Sequence, residues 1–231
     1  MSDVREAAGF QFSITIFKFQ MSRPFLIAIA GPSCSGKSSV ARQLALTLPA
    51  PATIFTLDSY YHDLSHLESA QRAATNFDHP DSMDGALIVQ HVQALINGEE
   101  ILRPIYDFAT HSRTSRTEAM RSQDFLIVEG LFTLYWPELR ALASVKVFME
   151  AAHELCLPRR KARDIAERGR TLQSVVDQYA ATVRPMTDQY ITPTREFADL
   201  VLSGAQPVEN SAAAVLDFIR ARLPNKALLN A

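Results

Sequence analysis

Only two cysteines, Cys34 and Cys156, occur in 231 residues, too few for a disulfide framework, and a reducing cytoplasm fits that scarcity. No apolar run approaches the ~18 residues that a membrane span needs, so a membrane is not an expected partner. There is no basic excess either. The formal net charge of −2 gives no field to hold a polynucleotide backbone, which argues against nucleic acid as a ligand. The start, with Asp3 and Glu6, lacks the basic segment and apolar core of a secretory signal. Internal repeats and low-complexity linkers are missing as well. Apolar residues at 47% and charged residues at 21% exclude wholesale disorder, and the length suits one α/β domain.

What is present reads as strands alternating with helices. The run FLIAIA (Phe25–Ala30) is continuously apolar, as a parallel strand buried on both faces would be. Val40, Leu44 and Leu48 then recur every four residues, on one face of a helix starting near Lys37. Further strands are expected at Ala52–Leu57, Phe125–Val128, Val145–Met149 and Leu200–Leu202, with helices at Ala86–Ile96, Pro137–Ala143 and Leu172–Ala181. This alternation predicts a mainly parallel sheet covered by helices. Ile101–Phe108 contains Pro104 and reads as a hairpin or edge element. Residues 1–20, with Phe12, Ile14 and Ile16 alternating, fit an appended strand, a tail or a segment upstream of a true start at Met21; the domain is expected over 21–231.

Between the first strand and its helix lies Gly31-Pro32-Ser33-Cys34-Ser35-Gly36-Lys37-Ser38, which satisfies G-x-x-x-x-G-K-[ST] in the context that motif requires. The glycines let backbone N–H groups wrap phosphates, and the helix points its positive end at them. Lys37 should reach the β- and γ-phosphates. Ser38 offers a hydroxyl to Mg²⁺, which also calls for a carboxylate, and Glu129 at the end of FLIVEG is the best candidate, unless it is an ordinary solvated strand-end acid. Asp58, read as the end of the second strand, suits a general base for an acceptor hydroxyl; a helix N-cap is the plainer role. Residues 158–170 hold five arginines and Lys161 in a helical stretch. Such a run is usually a solvated face, but beside a phosphate loop it reads as a lid. Leu202-Ser-Gly-Ala-Gln206 resembles an ABC-type ATPase signature without the acidic strand that should follow it, and Asn225-Lys226-Ala227-Leu228 lacks the aspartate of GTPases.

Together with the phosphate loop, DSYY (58–61), NFDHPDSMD (76–84), PIYDFATHSR (104–113), VEG (128–130), RDIAERGR (163–170), VRPM (183–186) and PTREFAD (193–199) resemble the uridine kinase (uridine/cytidine kinase) family of P-loop kinases from about Pro24 to Leu223. The resemblance implies a P-loop kinase fold with a small β-hairpin element and an Arg-rich helical lid. It implies transfer from ATP or GTP, with Mg²⁺, to the 5′-hydroxyl of uridine and cytidine, giving UMP and CMP in pyrimidine salvage, and a homotetramer. By position it makes Asp58 the base and puts Ser38, Asp58 and Glu129 around the metal. The loop Gly31–Ser39, ending on Ser39, would hold the donor together with Arg163 and Arg168. Asp78, beside Phe77, would hold the ribose hydroxyls. Tyr106 and His111 would meet the pyrimidine edge with Phe108 beside the ring, and Arg160, Arg170 and Gln178 would help hold the nucleoside.

Two residues depart from the family pattern. Cys156 stands where relatives usually have arginine, and Pro158 enters the lid helix, which is therefore expected to start near Pro158. The competing readings are a phosphoribulokinase- or pantothenate kinase-like enzyme for another alcohol, and a nucleotide-binding module without catalysis. NFDHP and PIYDFATHSR speak against the first, and Asp58 beside Lys37, Ser38 and Glu129 against the second.

Overall fold

Why does FLIAIA form the centre of the molecule? A strand covered on both faces needs apolar side chains at successive positions, and β1 (Phe25–Ala30) supplies them. Leu26, Ala28 and Ala30 enter one core, and Ile27 and Ile29 enter the other. The computed structural model describes residues 23–222; the expectations for residues 1–20 and for Asn225–Leu228 lie outside them.

In chain order β1 is followed by α1 (Lys37–Thr47), β2 (Ala52–Thr56), α2 (Ser69–Ala73), α3 (Gly85–Ile96), β3 (Ile101–Asp107), β4 (Ser112–Met120), β5 (Phe125–Glu129), α4 (Pro137–Leu142) and β6 (Val145–Glu150). Then come α5 (His153–Arg168), α6 (Leu172–Gln178), α7 (Arg184–Met186), β7 (Leu200–Ser203) and α8 (Val208–Arg222). Five strands form one parallel sheet in the order β2-β5-β1-β6-β7. Phe25 pairs with Phe125 and Ile29 with Glu129, so β1 and β5 end level and present the phosphate loop and Glu129 at the same edge. One face is covered by α3 through Ile88, Val92 and Leu95. The other is covered by α1 (Val40, Ala41, Leu44) and α8 (Val215, Ile219).

β3 and β4 pair only with each other, antiparallel, in a separate two-stranded sheet with an irregularity between Pro104 and Tyr106, as the hairpin expectation had it. Arg113 fastens this hairpin to the main body. Its Nε donates to the Tyr61 carbonyl at 2.7 Å and its guanidinium to the Tyr60 carbonyl at 3.1 Å.

Three expectations need correction. β2 stops at Thr56, and Asp58 lies in a 3₁₀ turn, Leu57–Tyr60, whose cap is the Thr56 side chain accepting from the Asp58 N–H at 3.4 Å. The lid helix begins at His153, not near Pro158. Proline cannot donate to the Glu154 carbonyl, but Pro158 and Glu154 are both on the exposed side, where solvent can satisfy that carbonyl. The first turn is instead fixed by His153, whose two ring nitrogens lie 2.9 Å from the Tyr179 hydroxyl and 3.0 Å from Asp188. Finally, the helix expected over Leu172–Ala181 is regular only to Gln178 and then widens into a π-helical turn, Tyr179–Val183; a second follows at Thr187–Ile191.

Candidate active site

The carboxyl ends of the parallel strands open onto a cavity of about 780 Å³, where ligands of open α/β sheets bind. Its wall includes Ser33 to Ser39, Asp58, Phe77, Asp78, Tyr106, Phe108, His111, Glu129, Arg160, Arg163, Arg168, Arg170 and Gln178, so nearly every residue singled out in the sequence meets in one place. Gly31 and Pro32 do not line it. Gly31 lies behind the loop against the Met149 backbone, and the Pro32 carbonyl accepts a hydrogen bond from Lys37 Nζ at 2.7 Å.

At the phosphate loop, Gly36 caps α1 with φ 104°, a left-handed conformation that glycine adopts without the cost of a Cβ. The first N–H groups of α1 thus face the cavity. Lys37 is buried, which lowers the pKa of its ammonium, while Glu129 and Asp58 act to raise it. Ser38 Oγ donates to Glu129 Oε2 at 3.0 Å. Burial raises the Glu129 carboxyl above its ordinary value, and the charge of Asp58 adds to that, against Lys37, Thr56 and Ser38. Two carboxylates and a hydroxyl crowd together here with one ammonium to offset them. A hard, oxygen-seeking cation suits such a set. Among the described residues there is no group of three or more His, Cys, Asp or Glu that could hold a metal ion.

On the opposite wall, aromatic rings gather around a polar floor. Phe77 stacks on His111 at 4.7 Å and 20°, while Tyr61, Tyr106 and Phe108 pack around one another with centroids 5.2–6.2 Å apart. The Tyr106 hydroxyl is buried and has no hydrogen-bond partner among the described residues, and burial pushes its pKa up to about 12. Burial and the charges of Arg170 and Arg168 depress the His111 imidazole, so its neutral form is favoured. Asp78, 5% exposed, accepts from Thr182 at 3.0 Å and stands 3.9 Å from Arg160. Thr182 lies on the π-helical turn, a distortion often found at functional sites.

The lid joins the two walls. Arg160 donates to Ser33 Oγ at 3.1 Å and to Gln178 Oε1 at 3.1 Å, and Gln178 also accepts from Arg170. The Arg168 guanidinium lies 4.5 Å over the Phe108 ring, within cation–π range. Arg159, also in the cavity wall, donates to the Cys34 and Gly204 carbonyls and braces the loop. Cys156 is buried beside Tyr179 and Val183, where its thiol rises to about 11.

Sequence reasoning missed Arg42, Tyr61, Leu131, Gln206, Val208 and Ser211, which also line the cavity. Gln206 belongs to the segment set aside for its likeness to an ATPase signature, so a signal was there and its meaning was different.

Comparison with known proteins gives a consistent picture. The Phosphoribulokinase / Uridine kinase family matches residues 26–210. A uridine kinase of Haemophilus influenzae (strain PittGG) is 45% identical over 189 residues, 79% of this chain and 89% of that protein. A uridine kinase of Clostridium novyi (strain NT) is 43% identical over 183 residues, 79% of this chain and 88% of that one. Among solved structures, phosphoribulokinase from Rhodobacter spheroides superposes with a TM-score of 0.58 at 14% identity, over 81% of this chain and 75% of that chain, a likeness of fold.

Proposed function

Because the chain belongs to the Phosphoribulokinase / Uridine kinase family, and is thus a phosphotransferase with a nucleotide donor, we propose that it phosphorylates the 5′-hydroxyl of uridine and cytidine from ATP or GTP. The observation that carries the acceptor is the unpartnered Tyr106 hydroxyl, buried in the cavity wall beside the Phe77–His111 stack. A buried hydroxyl without a partner costs about 1–3 kcal/mol, which a ligand's polar edge would recover. A hydroxyl donates and accepts, and a neutral imidazole has two tautomers, so this pair suits either the uracil or the cytosine edge.

In the reaction a bond forms between the 5′-oxygen and the γ-phosphorus as the bridge to the β-phosphate breaks. The 5′-hydroxyl proton passes to Asp58, and the nucleoside diphosphate leaves. Lys37, Arg163 and Arg168 would balance the charge on the transferring oxygens. Ser38, Asp58 and Glu129 would hold Mg²⁺, whose charge offsets that of the β- and γ-phosphates when bound. Asp78, with Thr182 and Arg160 beside it, would accept from the ribose hydroxyls.

Steady-state kinetics on uridine, cytidine and deoxyuridine test this reading. Uridine and cytidine are expected within about tenfold in kcat/KM, a gap of about 1.4 kcal/mol. Deoxyuridine is expected to be worse by roughly 10⁴, since it would leave a desolvated Asp78 oxygen without its sugar partner. Equal use of deoxyuridine and uridine would sink the ribose assignment, and no turnover of any nucleoside would sink the acceptor class.

A further inference from the structure

One side chain in the lid has no role in the reading above, yet it is the least exposed charged residue among the described residues. Asp164 sits on α5 with 0% exposure, while the arginines that surround it, Arg163, Arg168 and Arg170, keep 28%, 27% and 28% of their side chains open. Arg163 binds Asp164 Oδ1 at 2.8 Å, and Arg168 Nε stands 3.8 Å from the same oxygen. Around Oδ2 are Arg160 Nε at 3.4 Å and Arg170 at 3.7 Å. Four guanidinium groups thus lie within reach of one carboxylate. The backbone agrees with this focus, because the Arg170 N–H returns to the Asp164 carbonyl at 3.1 Å and folds the end of the lid back over its own helix.

Two details separate this arrangement from an ordinary structural ion pair. Asp164 Oδ2 and Arg160 Nε are both buried without a formed hydrogen bond, so of the four arginines only Arg163 is hydrogen-bonded to the carboxylate and the other three are held near it by charge. Asp164, with Asp78 3.9 Å from Arg160, also leaves four positive charges only partly cancelled. The remainder faces the phosphate loop, because Arg160, Arg163, Arg168 and Arg170 all line the cavity. Arg160 carries the link further, to Ser33 on the donor side and toward Asp78 on the acceptor side.

We infer that Asp164 is a positioning residue that gathers Arg160, Arg163, Arg168 and Arg170 into one preassembled set over the phosphate loop, deliberately short of negative charge until the phosphates of a nucleoside triphosphate enter. Without the carboxylate, like charges push Arg163 and Arg168 away from Arg160 and Arg170, which Gln178 still holds, and each donor molecule has to reassemble the set. The inference rests on the proposed contact of Arg163 and Arg168 with the donor phosphates.

The test is a set of full-length variants, Asp164→Asn, Arg163→Gln/Arg168→Gln and their combination, with kcat and both KM values measured for each. Asp164→Asn is expected to lower kcat about 10- to 100-fold, the usual cost of misplaced catalytic groups, and to cost less than about threefold more once the two arginines are gone. Equal losses in both backgrounds would mark a merely structural aspartate and overturn the inference. So would an Asp164→Asn enzyme within threefold of wild type while the arginine pair variant is slow. An arginine pair variant as fast as wild type overturns the phosphate contact and the inference together. Should Asp164→Asn not fold, hydrogen exchange in the wild-type protein without donor decides: preassembly expects slowed amides over 168–171, and exchange there at the rate of an unstructured chain refutes it.

Discussion

Ser38 donates its hydroxyl hydrogen to Glu129 at 3.0 Å, joining the start of α1 to the end of β5 across 91 residues of chain. The contact would orient both groups for the proposed Mg²⁺. Glu129→Gln keeps the shape and the hydrogen bond but removes the charge. It is expected to raise the Mg²⁺ concentration for half-maximal activity by about tenfold or more. A magnesium titration at saturating donor and acceptor checks this, and an unchanged midpoint would take Glu129 out of the metal site.

Asp58 offers the clearest kinetic separation. If it takes the acceptor proton, Asp58→Asn lowers kcat by about 10²–10⁴, or about 3–5 kcal/mol of barrier, with nucleoside affinity largely kept. Calorimetric binding beside single-turnover rates distinguishes loss of the base from loss of the substrate. A variant with more than half the wild-type kcat removes Asp58 from the mechanism.

Gly130 tests how Asp58 is held in place. A Cβ added there would come within 2.6 Å of the Leu57 Cβ, and Leu57 precedes Asp58 in the same 3₁₀ turn. Gly130→Ala is therefore expected to push that turn outward, to cost about 1–3 kcal/mol of stability by overpacking, and to reduce kcat by about tenfold or more. Denaturant unfolding and kcat are measured together. Unchanged kcat in a destabilised variant would show that the turn does not transmit the push.

For Asp78 the prediction concerns pH. Burial raises its carboxyl above 3.8, outweighing Arg160 and Thr182, so the folded protein binds this proton more tightly than the unfolded chain does. The ionisation therefore costs stability progressively as pH rises from 3.8 through the raised value, and the cost is complete above it. Asp78→Asn is expected to melt higher than wild type near about pH 7, with the gain shrinking toward about pH 4, while its kcat/KM for uridine falls. Melting curves across that range check the sign; a variant that melts lower at neutral pH contradicts it.

The parallel sheet was legible because its strands are buried on both faces, which forces runs such as FLIAIA and FLIVE into the sequence. β4 was not, since most of Ser112–Met120 faces water and carries no alternation. The phosphate loop was legible from spacing alone, and the aromatic wall came from resemblance, which brought Phe77, Tyr106 and His111 to one cavity. Asp164 shows the limit. An acid among arginines on a helix reads as a solvated face, and only the packing of the lid reveals that it has no contact with solvent at all. Thr182 escaped for a related reason, because the widened turn that aims it at Asp78 leaves no mark in the residue pattern.

The separateness of the β3–β4 hairpin has a consequence for acceptor choice. It shares no backbone ladder with the sheet that carries the phosphate loop, and a two-stranded unit of this kind is marginal without support such as the Arg113 contacts provide. If Tyr106 and His111 meet the acceptor as proposed, changes within the hairpin bear on which alcohol is admitted without touching the sheet that carries the phosphate loop. Any replacement hairpin would have to restore two anchors, the Arg113 hydrogen bonds and the side chains of Ile101 and Tyr106 that enter the core.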